Sequence, residues 1–209
     1  MPWGLTRFQH SGQNHFATFC CYHRHRLFTT DASRRIFESA LERVRRSFRL
    51  QVYGYVVMPE HVHLLLSEPQ RDTSIDRTAP LKPKDGLSGP PVLSETKQDT
   101  LADALKSLKQ GVSRRLIGDA EHFWQKRYYD FNVRDYPQFV EKLRYIHRNP
   151  VKAGLCERPE DWGSSFRHYA TSCEGRVEIE SEWTARKRER ASGKLCPGVE
   201  LPHSSQNPA

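Results

Sequence analysis

The run Tyr55-Val56-Val57-Met58-Pro59-Glu60-His61-Val62-His63-Leu64-Leu65-Leu66 restricts the fold more than any other stretch of the chain. Its β-branched and aliphatic residues suit a pleated, buried setting. Pro59-Glu60 splits it into two strands, read at 51–58 and 61–67. Residues two apart on a strand leave the same face, so His61 and His63 project together. Burying an imidazole costs free energy unless its nitrogens find partners. One shared metal ion would satisfy both rings. The pair alone also suits two hydrogen-bonded histidines, so it opens a metal reading without closing it.

Charge points to the partner. The 209 residues carry a net charge of +8, with a pI of about 9.4. That balance favours an anionic partner, nucleic acid first. The length allows one domain of about 150 residues with extensions. The five cysteines include the adjacent pair Cys20-Cys21 and no Cys-x-x-Cys. Neither a disulfide framework nor a zinc ribbon fits that count and spacing. A reducing, cytoplasmic and nucleoid-associated setting is expected. No stretch approaches the roughly 20 apolar residues of a membrane span.

Periodicity supplies the remaining elements. A first strand is read within 14–24, from Phe16 on. Residues 31–49 read as a helix, with Asp31 as N-cap and a stripe of Ile36, Phe37, Ala40, Leu41, Val44 and Phe48. Five prolines and two glycines erase any period over 69–99, which reads as a flexible insert. Helical spacing resumes near Thr100 with Leu101, Ala104, Leu105, Leu108, Val112 and Leu116. A strand is read at 127–134. Asp135-Tyr136-Pro137-Gln138 then starts a last helix, expected to stop at about Arg148 before Asn149-Pro150. The domain is placed at 1–169, with a charged, poorly structured tail over 170–209. This order predicts an α+β fold, a ferredoxin-like antiparallel sheet with helices packed mainly on one face.

On a helical wheel, Phe139, Val140, Leu143 and Ile146 share one arc. Tyr145 falls roughly 150° from its centre, and Asn149 lies one turn further on nearly the same side. A tyrosine so placed is a surface ring or a working hydroxyl.

Taken jointly, the motifs have a family likeness. They are Met58-Pro59-Glu60-His61-Val62-His63, Phe123-Trp124-Gln125, Tyr145-Ile146-His147-Arg148-Asn149-Pro150-Val151-Lys152-Ala153-Gly154, Pro159-Glu160-Asp161-Trp162 and Ser164-Ser165-Phe166. In this order the chain resembles the REP-associated tyrosine transposases, which are single-tyrosine HUH transposases of bacterial insertion sequences. The resemblance implies His61, His63 and Asn149 as ligands of a divalent metal, Mn²⁺ or Mg²⁺, and Tyr145 as the nucleophile. It implies cleavage of single-stranded DNA beside hairpins, through a 5′-phosphotyrosine link and a free 3′-OH. Free tyrosine, with a pKa of about 10, is a weak nucleophile near neutrality. A divalent ion would polarise the phosphate it attacks.

The DNA surface is read from charge and rings. Lys106, Lys109, Arg114 and Arg115 on the helix after Thr100 are candidates for phosphate contacts. Lys126 and Arg127 interleave with Trp124, Tyr128 and Tyr129, a pattern suited to unpaired bases, although Trp124 also suits a core. Arg148 and Lys152 flank the tyrosine. A monomer or a homodimer fits the resemblance. The competing reading is a hairpin-binding protein that kept the fold and lost nicking.

Overall fold

The computed structural model describes residues 12–70, 99–118, 120–165 and 176–180. Its elements are β1 (Asn14–Cys20), α1 (Asp31–Ser47), β2 (Val52–Val57), β3 (His61–Leu66), α2 (Leu101–Leu116), β4 (Tyr129–Val133) and α3 (Tyr136–Lys152). The strands form one antiparallel sheet in the order β2-β3-β1-β4. Helix α1 carries the chain from β1 past the β3 position to β2, and the turn at 58–60 brings β3 back between them. This is the α+β, ferredoxin-like arrangement that the element order predicts, with α3 added at its end.

Strand register divides the side chains between two faces. Ala17 lies opposite Leu64 and Phe19 opposite Val62, and these residues are buried under α1 and α2. Phe37 of α1 packs on Phe19, with ring centres 6.1 Å apart. The Tyr55 hydroxyl donates to Glu38 of α1 at 3.0 Å. Trp124 closes the corner. Its ring lies 5.1 Å from Phe19 and 5.6 Å from Phe28, and its indole N–H donates to the Lys109 carbonyl of α2 at 3.0 Å. Trp124 is therefore a core residue, its polar edge satisfied by a helix backbone.

The opposite face holds Phe16, Thr18 and Cys20 of β1, paired with Leu65, His63 and His61 of β3. Helix α3 lies across it, with Phe139 against Tyr53 at 5.2 Å and Ile146 fully buried. Two of the three α-helices among the described residues thus share one face, and the third covers the histidine face.

Several boundaries differ from expectation, each for a local reason. Strand β1 ends at Cys20, because Tyr22–Arg24 form a 3₁₀ turn with left-handed backbone at His23 and Arg24. The cap of α1 is Thr30, whose hydroxyl accepts from Ser33 N–H at 3.1 Å, so Asp31 is the first helical residue. Helix α2 starts as read, with Thr100 and Asp103 forming a reciprocal capping box.

Helix α3 does not stop at Arg148. It runs through Pro150 to Lys152. Pro150 lacks one helical N–H, and the backbone beyond it closes the helix end. Gly154 N–H bonds Val151 O at 2.9 Å, and Leu155 N–H bonds Pro150 O at 3.0 Å. Gly154 sits at φ +66°, so the helix closes in a Schellman motif.

Within the stretch expected as a tail, Val177 and Ile179 are buried in the core cluster. Arg45 of α1 donates to the Glu178 carboxylate at 2.6 Å, and the Glu178 N–H donates to Glu42. Residues 162–165 also dock on the sheet. Trp162 donates to Val57 O at 3.0 Å, and Ser165 bridges Val56. Most of the 69–99 insert, Phe166 and residues 181–209 lie outside the described residues.

Candidate active site

The site is assembled from the central strand β3, its neighbour β1 and helix α3. Register places Thr18 directly across from His63. Its hydroxyl hydrogen-bonds His63 Nδ1 at 2.7 Å. The Glu60 carboxylate accepts from His61 Nδ1 at 2.9 Å and also meets Arg24 at 3.5 Å. With both Nδ1 atoms held, both Nε2 atoms turn inward, 3.0 Å apart. His61 is 9% exposed and His63 4%.

Burial pushes His63 down to about 3, and the neighbouring His61 and Arg24 add to the shift. Burial likewise lowers His61, although Glu60 opposes it. Both rings are therefore neutral around pH 7, the form in which an imidazole ligates a metal. Glu60 fixes the proton of His61 on Nδ1 and leaves a lone pair on its Nε2. Two lone pairs 3.0 Å apart repel unless a proton or a cation lies between them.

The third group comes from α3. Asn149 Nδ2 lies 3.2 Å from His63 Nε2. Turning the amide over would present Oδ1, its ligating atom, at the same place. Tyr145, one turn earlier, sets its ring 5.0 Å from the His63 ring and edge-on to Phe16 at 5.9 Å. It is 43% exposed, so its ring edge is anchored while the residue stays open to a ligand. The helix continuing through Pro150 keeps Tyr145 and Asn149 on successive turns.

The donor chemistry fits a divalent cation. Two oriented, neutral imidazoles and an amide converge. Among the described residues no group of three His, Cys, Asp or Glu side chains could hold a metal.

The basic residues divide into two groups. Lys106, Lys109, Arg114 and Lys126 line one groove of about 510 Å³, together with His122 and Tyr128. Lys109 Nζ donates to Gln125 O at 2.9 Å, which ties α2 to the segment leading into β4. This groove lies on the α2 side, and neither His61 nor His63 lines it. Arg115 and Arg127 are exposed and do not line it, while Arg148 and Lys152 are exposed on α3.

Sequence reading missed Thr18, Glu60, Phe16 and Lys142 as parts of the site. Lys142 Nζ lies 4.8 Å from the Phe131 ring centre and 5.8 Å from that of Phe16. Its place three residues before Tyr145 was a usable signal. The role of Thr18 depends on strand register, which the sequence does not display.

A ferredoxin-like sheet with paired imidazoles on its central strand, opposite a helix-borne tyrosine, defines a class, and comparison with known proteins places the chain near one family. The family model described as "Transposase IS200 like" matches residues 9–78. Over 146 residues the chain is 26% identical to the REP-associated tyrosine transposase of Escherichia coli K12, covering 69% of this chain and 70% of the relative. It is also 26% identical over 169 residues to a Haemophilus influenzae Rd protein that carries the same name provisionally, covering 75% and 81%. A solved structure described as a REP-associated tyrosine transposase bound to a REP hairpin shares the fold. Its TM-score is 0.60 at 20% identity, over 86% of this chain and 93% of that one. The likeness to the REP-associated tyrosine transposases seen in the motifs thus extends to the whole fold.

Proposed function

We propose that this protein is a metal-dependent enzyme that cuts and rejoins single-stranded DNA beside hairpins, with Tyr145 as nucleophile. The observation that carries the reading is the convergence of His61, His63 and Asn149 beside the exposed Tyr145 ring. The names of the relatives support the reaction class, and the solved relative's hairpin supports the substrate class.

His61, His63 and Asn149 would hold Mn²⁺ or Mg²⁺, which supplies Lewis-acid stabilisation of charge on the scissile phosphate. The protein's own groups do the rest. Tyr145 Oη attacks phosphorus as its proton leaves to solvent. The bond from phosphorus to O3′ breaks, and O3′ takes up a proton. The 5′ phosphate then stays on Tyr145, and the free 3′-OH can attack it to reseal the strand without ATP. Thr18 and Glu60 keep the imidazoles in register throughout. The groove lined by Lys106, Lys109, Arg114 and Lys126 would take the hairpin's phosphates by charge. Arg148 and Lys152 would follow the strand along α3, with Arg115 and Arg127 adding charge around the groove. No helix among the described residues is long and apolar enough to cross a membrane.

The test uses one hairpin oligonucleotide labelled at its 5′ or its 3′ end, with Mn²⁺ or with EDTA. The reading expects a denaturation-resistant protein–DNA band carrying the 3′ label only, and none with EDTA. Binding without such a band, across hairpins from repeats near the gene, would make the protein a non-catalytic hairpin binder.

A further inference from the structure

The basic groove and Tyr145 lie on opposite faces of one sheet, so a strand held in the first must cross an edge to reach the second. Strand β4 is that edge. It pairs with β1 on one side, and no described strand covers its other side. The groove lining leads directly into it, through Lys126 and Tyr128. Side chains alternate along a strand. Tyr128 therefore turns to the groove side, and Tyr129 turns to the catalytic face, where register sets it opposite Thr18.

Tyr129 is an unusual residue for that position. It is 43% exposed, although it stands beside the buried His63 support. Its ring is not loose. It lies parallel to Phe131, at 6.5 Å and 9°, and edge-on to Phe16 at 6.4 Å. Phe16 in turn stacks on His63 at 5.6 Å and meets Tyr145 at 5.9 Å. A line of rings thus runs from the sheet edge to the nucleophile, buried in the middle at Phe16 and open at both ends. The Lys142 ammonium sits over the Phe131 and Phe16 rings of the same line.

We propose that Tyr129 is a stacking platform for an unpaired base next to the scissile phosphate, and that the DNA strand crosses β4 there on its way from the groove to Tyr145. Every base offers a π-face to such a ring, so the contact positions the strand without reading its sequence. Lys142, whose ammonium also donates to the exposed Glu141 carboxylate at 2.9 Å, would exchange that partner for the phosphate beside the base. The inference rests on the tyrosine-transfer reading above and adds a residue to its substrate path.

The test places 2-aminopurine at successive unpaired positions flanking the stem of a hairpin oligonucleotide. Fluorescence and covalent attachment are measured for wild type, Tyr129→Phe and Tyr129→Ala. Wild type and Tyr129→Phe should quench one flanking position on binding. Tyr129→Ala should lose that quench and need roughly 5- to 100-fold more DNA for half-maximal attachment, as loss of one base–aromatic stack predicts. Attachment at saturating DNA should change much less. A Tyr129→Ala protein with unchanged quench and half-saturation would overturn the proposal, as would wild type that quenches no flanking position. A Tyr129-dependent quench in a wild type that never attaches DNA would leave the stacking site standing and remove the transfer reaction instead.

Discussion

At the scale of single residues, the site is a question of which nitrogen faces inward. His61 and His63 could share a face and still point their Nε2 atoms apart. Thr18 and Glu60 prevent that by holding the two Nδ1 atoms. Such supports typically carry a 10- to 100-fold share of metal affinity. Thr18→Val keeps the volume and removes the hydroxyl. It is expected to weaken Mn²⁺ binding by roughly that factor in a calorimetric titration, with the thermal midpoint of the metal-free protein little changed. Unchanged affinity would remove Thr18 from the site. The histidine pair was legible from its i, i+2 spacing, and Tyr145 from its distance off the apolar arc. Thr18 was not, because register and the fixed Nδ1 are properties of two strands together.

At the scale of elements, the sheet order and the added helix decide what meets. The β-branched and aromatic content of β1, the aliphatic run of β3 and the helical stripe of α2 predicted those elements well. The end of α3 was not legible. A proline after Asn149 reads as a stop, yet the Schellman closure at Gly154 lets the last turn form beyond it. Gly154→Ala forces a left-handed backbone on an L residue and should cost about 1–2 kcal/mol, read as a lowered urea midpoint. If that helix end positions Asn149, metal affinity should fall as well.

Helix α1 carries a second test. Burial raises the Glu38 carboxyl above its ordinary range, despite its bond from Tyr55 and nearby arginines. Folding therefore favours the protonated form, and stability falls as pH rises from the unfolded value through the raised one. Glu38→Gln keeps an acceptor for Tyr55 without the charge. It should raise the thermal midpoint at neutral pH and have little effect near pH 4. A lowered midpoint at neutral pH would mean that the carboxylate is stabilising.

At the scale of the whole molecule, charge and pH act across elements. His15 is fully buried and bonds Asp130 of β4 at 2.9 Å and Glu68, after β3, at 3.2 Å. Burial opposes its charge, but the bonds and charges of Asp130 and then Glu68 prevail and raise its pKa. Folding thus takes up a proton at His15. The stabilisation is complete below the ordinary value of about 6.5 and fades as pH rises through the higher folded value. Denaturant midpoints should decline over that window in the wild type and stay flatter in His15→Gln. Sequence gave no hint of this cluster, because its three residues come from distant segments. The net charge of +8, by contrast, was legible at once, and it predicts hairpin binding that weakens steeply with salt. Replacing Lys106 or Lys126 with alanine should lower the log–log salt slope by about one each.

All of this converges on one phenol. Trypsin should release Tyr145–Arg148 as a short peptide, flanked by Arg144 and followed by Asn149. After reaction with hairpin DNA and Mn²⁺, then nuclease digestion, mass spectrometry of that peptide tests the central claim. The account predicts a nucleotide phosphate on Tyr145, absent with EDTA and absent from Tyr145→Phe. A nucleotide on another residue, or an adduct that persists in Tyr145→Phe, would contradict it.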